Sequence, residues 1–169
     1  MLRNLILLTI DAEHRPALAA LLREHNPGLT VSDDLEPDDL DSLDPEELRE
    51  SRLICFGGPL TLDHDVMRRI GHGSYQFYYA PLQHPGLAPS SAQEAEDDAP
   101  CVSVIAQSIG HSAPFDQILA IETVTLPPQI EAPQRELIAF TRLARMFWRM
   151  SHAIACETLP AEPRSTRLN

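Results

Sequence analysis

The run LRNLILLTI at residues 2–10 most constrains what this chain can fold into. Apolar side chains follow one another there without alternation, so an extended backbone presents grease on both of its faces. A strand of that kind needs cover on both sides, the habit of a parallel sheet layered between helices. A helix pattern follows at once. Residues 12–25 place Leu18, Leu21 and Leu22 at helical spacing, and Asn26-Pro27-Gly28 stops the run.

The same alternation continues along the chain. Residues 29–31 read as a short second strand. The stretch 33–50, DDLEPDDLDSLDPEELRE, is a charged surface excursion pinned by Leu35, Leu40, Leu43 and Leu48, with a helix start at Asp44-Pro45-Glu46-Glu47. RLICF at 52–56 is a buried strand closed by Gly57-Gly58-Pro59. Residues 62–70 form a helix with Asp63 and Asp65 in its first turn and Arg68 and Arg69 in its last, the polarity that suits a helix dipole. A strand at 75–79 leads into a long loop, 81–100, that holds the low-complexity piece SSAQEAEDDA. Strands at 101–109 and 117–125 follow, joined by GHSAPFD.

The last element is a long helix, 133–156, with Leu137, Phe140, Ala144, Phe147, Met150 and Ile154 on one face and a stripe widened by Met146 and Trp148. That stripe reads as core or as a surface for homodimerisation or docking, not as a cofactor pocket. The whole predicts an α/β fold, a mostly parallel sheet with helices on both faces: one domain over residues 1–156 and a flexible tail at 157–169. Ligands in such sheets bind beyond the carboxyl ends of the strands, which puts residues 9–11, 57–59 and 78–89 on one rim.

Charge narrows the partners. Thirteen basic residues, all arginine, stand against twenty-five acidic ones for a net charge of −12, so nucleic acid bound through a basic surface is excluded. No apolar run is long enough to span a bilayer, and Asp11 and Glu13 follow the first strand where a signal peptide would carry small residues. The three scattered cysteines, Cys55, Cys101 and Cys156, predict reduced thiols and a cytoplasmic setting.

Most catalytic signatures are missing. A phosphate-binding glycine loop would follow the first strand, where this chain has Thr-Ile-Asp-Ala-Glu-His. Gly57-Gly58 lacks the Lys-Ser/Thr of a P-loop and reads as a tight turn whose bare backbone can lie against a flat ligand. The histidines show no metal-ligand spacing, there is no Gly-x-Ser-x-Gly, and Cys55 sits inside an apolar strand.

One segment remains, RLICFGGPLTLDHDVMRRIGHGSYQFYYAPLQHPGLAPSSA. It resembles the folate-dependent formyltransferases, the family of methionyl-tRNA and glycinamide ribonucleotide formyltransferases. In that family a buried strand ends in a pterin-receiving loop, a short helix follows, and the next strand delivers Asn-x-His and a proline-rich turn. The resemblance covers residues 50–155 and implies a formyltransferase-like, Rossmann-like fold. It also implies a ligand such as 10-formyltetrahydrofolate or a related folate, held by Phe56, Gly57, Gly58, Pro59 and Tyr79.

The family chemistry passes through an oxyanion stabilised by a histidine and an asparagine, with an aspartate positioning the histidine. The asparagine position falls on Gln76, the histidine on Tyr78 and the aspartate on Asp116. His84, in a His-Pro-Gly that comes a few residues late, is a substitute imidazole. A longer amide and a neutral phenol in place of the family's pair predict a divergent member that keeps a small-molecule, folate-like pocket and lacks ordinary formyl transfer. An active transferase passing formyl from a reduced folate to an amine through Gln76, Tyr78, His84 and Asp116 is one alternative. A structural protein dimerising through the terminal helix is another.

Overall fold

A computed structural model of the chain describes residues 2–58, 62–81, 101–109 and 117–156. Strands β1 (Asn4–Thr9), β2 (Thr30–Ser32), β3 (Ser51–Phe56), β4 (Ser74–Pro81), β5 (Cys101–Ile109) and β6 (Gln117–Thr125) form one sheet in the order β2-β1-β3-β4-β5-β6. The pairs β1–β2, β1–β3 and β3–β4 are parallel, and β4–β5 and β5–β6 are antiparallel. This is the expected α/β architecture, mostly parallel and covered on both faces. The loop at 82–100, the turn at 110–116 and the tail at 157–169 lie outside the described residues, as do Pro59, His84 and Asp116.

Each face has its own cover. Helices α1 (Arg15–His25) and α4 (Ala132–Cys156) pack on the side carrying Leu5, Leu7, Ile54, Phe56, Phe77 and Val104. Phe147 of α4 meets Phe56 and Phe77 edge to face at 5.3 and 5.1 Å, a geometry that adds to the burial of all three rings. The opposite side carries Ile6, Leu8, Leu53 and Cys55. It is closed by α2 (Pro45–Arg49), α3 (His64–Arg69) and the turn Pro37–Ser42, through Leu40, Leu48, Val66 and Ile70.

The acidic excursion is thus one of the two lids on the sheet. Leu40 and Leu48 are fully buried and each contributes about 2 kcal/mol of transfer free energy. The acids around them do local work: Asp44 caps α2, Glu36 and Asp39 cap each other's backbone, and Asp41 pairs with Arg69 at 2.7 Å.

α4 packs through the face expected of it, with Phe147 and Ile154 buried and Phe140, Ala144 and Met150 packed against the same cluster. Its buried residues are Ala139, Leu143, Met146, Phe147, Ser151, Ile154 and Ala155, whereas Leu137 is 65 % exposed. Ala139, Ser151 and Ala155 join Leu143 and Met146 on the buried side, so the stripe mixes small residues with large ones. α1 starts later than expected. Asp11 caps a single 3-10 turn, Ala12–His14, and Pro16 fixes the first turn of the α-helix proper.

Candidate ligand cleft

The chain leaves β1 toward β2 on one side and returns to β3 on the other, so the strand order reverses between β1 and β3. Open α/β sheets leave a crevice at the carboxyl ends flanking such a reversal. A cleft of about 180 Å³ opens there, lined by Ile10, Asp11 and His14 after β1, Phe56 and Gly57 at the end of β3, Tyr79 of β4 and Phe140 of α4.

The glycines shape its floor. Gly57 has φ +103°, a left-handed conformation that side chains resist, and its N–H donates to Phe77 O at 3.0 Å. Gly58 is bare for another reason. A Cβ there would come within 2.1 Å of Ile10 Cδ1, so the side chain after β1 takes the space. Of the two glycines, Gly57 faces the cleft.

His14 and Asp11 line the cleft on the β1 side. The imidazole lies against Phe140, with ring centroids 4.4 Å apart and planes 32° apart, and its Nε2 is 3.7 Å from Asp11 Oδ2 and 3.9 Å from Glu13 Oε1. The ligand-capable atoms of these three side chains lie within 4.8 Å of one another. The i, i+2, i+3 spacing of this set is not the helical pair by which a metal site is read from sequence. The 3-10 turn brings the set together.

The expected site residues that are described on β3 and β4 divide between the two faces of the sheet. Phe56 and Tyr79 face α4 and the cleft, while Gln76 and Tyr78 face the other way. Gln76 is only 4 % exposed. Its Nε2 donates to Gly58 O at 3.2 Å and its Oε1 accepts from Gln107 Nε2 at 3.3 Å. The Tyr78 hydroxyl donates to Gln107 Oε1 at 3.2 Å. The result is a directed chain, Tyr78 to Gln107 to Gln76 to the glycine turn, that satisfies a polar patch on the sheet. Gln107, the middle member, was missed in the sequence. It sits at a register shift in the β5–β6 pairing, which is where a sheet re-aims side chains.

Cys55 offers no nucleophile, since burial pushes its thiol up to about 12. Cys101 and Cys156 are also free thiols. A wider apolar groove, about 520 Å³, lies between Pro127, Gln129 and Ile130 and the first turns of α4. It has no titratable side chain in its lining and is no place for acid–base chemistry.

No family model and no curated protein matches this sequence. Solved structures do. The formyltransferase PseJ from Anoxybacillus kamchatkensis, solved with UDP-4,6-dideoxy-4-formamido-L-AltNAc and tetrahydrofolate, is 15% identical over 97% of this chain and 82% of its own, with a TM-score of 0.57. Methionyl-tRNA formyltransferase from Clostridium thermocellum is 11% identical over 99% of this chain and 71% of its own, at 0.55. Phosphoribosylglycinamide formyltransferase from Campylobacter jejuni is 12% identical over 89% of this chain and 96% of its own, at 0.52. The chain has the fold of these formyltransferases.

Proposed function

We propose that this formyltransferase-fold protein binds a small molecule at the carboxyl ends of β1, β3 and β4, with a folate as the leading ligand class, and does not carry out ordinary formyl transfer. The observation behind the second half is the position of Gln76. A catalytic amide must be aimed at the place where the oxyanion develops, and losing one such donor costs about two to three orders of magnitude in rate. The Gln76 amide is buried and bonded at both ends, to Gly58 and Gln107, and so serves the sheet. The first half is supported by the cleft at the strand-order reversal, by the bare backbone of Gly57 in its lining, and by the tetrahydrofolate bound to one structural neighbour.

The test combines stability with turnover. Tetrahydrofolate is expected to raise the unfolding midpoint, because a ligand that binds only the native state stabilises it by mass action. 10-Formyltetrahydrofolate with a panel of amines is expected to give no formylated product. Product formation that disappears in Gln76→Ala would establish the active-transferase reading instead, with Gln76, Tyr78, His84 and Asp116 as its candidates.

A second reading, self-association through α4, is favoured by Leu137 and Trp148, 65 % and 63 % exposed. They are eleven residues apart, three helical turns, and share one face. A mass that rises with concentration and falls to the monomer in Trp148→Glu is the expected signature.

A further inference from the structure

We infer that the outward face of α4 docks an acidic, apolar segment of another protein, with apolar side chains seated at Leu137 and Trp148 and carboxylates on the arginines beside them. The inference is independent of the ligand cleft, which takes only Phe140 from α4.

The apolar part has two seats. At the start of the helix, the groove of about 520 Å³ is lined by Pro127, Gln129, Ile130, Gln134, Leu137 and Ile138. That volume lies in the range of pockets that take ligand-sized groups. Leu137 is 65 % exposed there, and Trp148, farther along, is 63 % exposed. Eleven residues of rise set the two about 16 Å apart along the helix axis. An exposed indole is the kind of anchor that dominates an interface once a partner covers it.

Charge says what covers these seats. The chain carries a net charge of −12, yet α4 holds four arginines, Arg135, Arg142, Arg145 and Arg149, against one acid, Glu136. All four arginines are exposed. At about 100° per residue, Arg135, Arg142 and Arg149 run down one line of the helix, Leu137 and Trp148 down another, and Arg145 lies between the two. Arg149 pairs with Glu122 of β6. Among the described residues, Arg135, Arg142 and Arg145 have no ion pair. Guanidinium groups in this state are open to bidentate pairing with carboxylates. Two copies meeting through α4 about a two-fold axis set arginine against arginine, and that like charge favours an acidic partner over a second copy. A nucleic acid brings the charge without apolar anchors for Leu137 and Trp148.

The experiment uses the full chain, whose one tryptophan is Trp148, so that its emission reports on this face alone. The probe is a helical peptide of Ala, Glu and Leu, free of aromatic residues, with two leucines about three turns apart. Companion probes carry Lys for Glu or Ala for both leucines, and a single-stranded oligothymidylate supplies charge alone. The acidic peptide is expected to shift the Trp148 emission to the blue and to saturate, and the companions to bind at least about tenfold more weakly. Raising the salt from low to physiological is expected to weaken the acidic peptide several-fold. In Arg142→Glu/Arg145→Glu its affinity is expected to fall about tenfold or more with the unfolding midpoint unchanged, since neither guanidinium holds an ion pair in the folded chain. No binding of the acidic peptide, equal binding of the Lys peptide or the oligothymidylate, or full affinity in the charge-reversed variant would each overturn the inference. A mass that rises with concentration and that the acidic peptide does not lower overturns it in favour of self-association. Tetrahydrofolate is expected to raise the unfolding midpoint equally with and without the peptide, so the docking face and the folate cleft can each fail alone.

Discussion

The two ends of the sheet are built by opposite rules. At the amino end of β3, Arg52 is 3 % exposed; its Nε donates to His72 O at 3.0 Å and its Nη1 to the carbonyls of Ala153 and Ile154. Asn26, beyond the end of α1, donates to Leu2 O at 3.2 Å and to Ala155 O at 2.9 Å. Three consecutive carbonyls in the last turn of α4, orphans in any helix, are thereby taken up by two side chains, one of them a cation where the helix dipole favours it. The carboxyl end holds a left-handed glycine, an exposed Ile10 and a small cleft lined by Asp11, His14 and aromatic residues. Among the described residues one end is satisfied and closed and the other holds a cleft, and stability and binding should therefore separate along the strands.

The sharpest way to break that contrast is at Arg52. Arg52→Ala strips two carbonyls at the end of α4 and one before β4 of a buried donor and leaves a void. The expected loss is about 3 kcal/mol or more in chemical denaturation. Cleft binding, measured where the variant is still folded, is expected to be unchanged. A loss under about 0.5 kcal/mol would mean that water replaces the guanidinium and that the amino end is not a sealed one.

The polar chain across β4 and β5 is intermediate. Gln107→Leu removes the donor to Gln76 Oε1 and the acceptor for the Tyr78 hydroxyl. A cost of about 1–2 kcal/mol is expected, since a buried amide loses a partner without losing its own polarity. If Gln76 and Gln107 act as one structural unit, the Gln76→Leu/Gln107→Leu double variant is less damaged than the sum of the singles. Additive effects would free Gln76 for a role other than holding the sheet together.

Much of this was legible in the sequence, and the reasons are physical. Apolar runs such as NLILLT and RLICF announce strands buried on both faces, and Asp44-Pro45 and Asp63 announce helix starts by chemistry that acts within a few residues. The described part of the carboxyl-end rim, with residues 10, 11, 57 and 79 around one cleft, was legible too, because topology alone places it. The division of Gln76 and Tyr78 from Tyr79 follows from the period of a strand, yet neither Gln107, which claims the Gln76 amide, nor Phe140, which stacks on His14, is close in sequence to its partner. Such pairings depend on register and crossing geometry. The core-facing side of α4 was legible as well, since Phe140, Ala144, Phe147, Met150 and Ile154 all belong to or pack against the core cluster, while Leu137 and Trp148 turn to solvent.

The finest distinction lies within the glycine pair. Gly57→Ala forces a Cβ onto a backbone at φ +103°, and a cost of about 1 kcal/mol or somewhat more is expected whatever the space around it. Gly58→Ala meets only the far end of the Ile10 side chain, which is 61 % exposed and free to swing away, so a cost of a few tenths of a kcal/mol is expected. Ligand binding separates them further. Ile10 lines the cleft, and a methyl at position 58 that displaces it changes the cleft's shape without straining the backbone. Gly58→Ala is therefore expected to change affinity more than stability, and Gly57→Ala to lower both. If both variants lose equal stability, Ile10 is held as firmly as the backbone, and the carboxyl end is less open than its exposure implies.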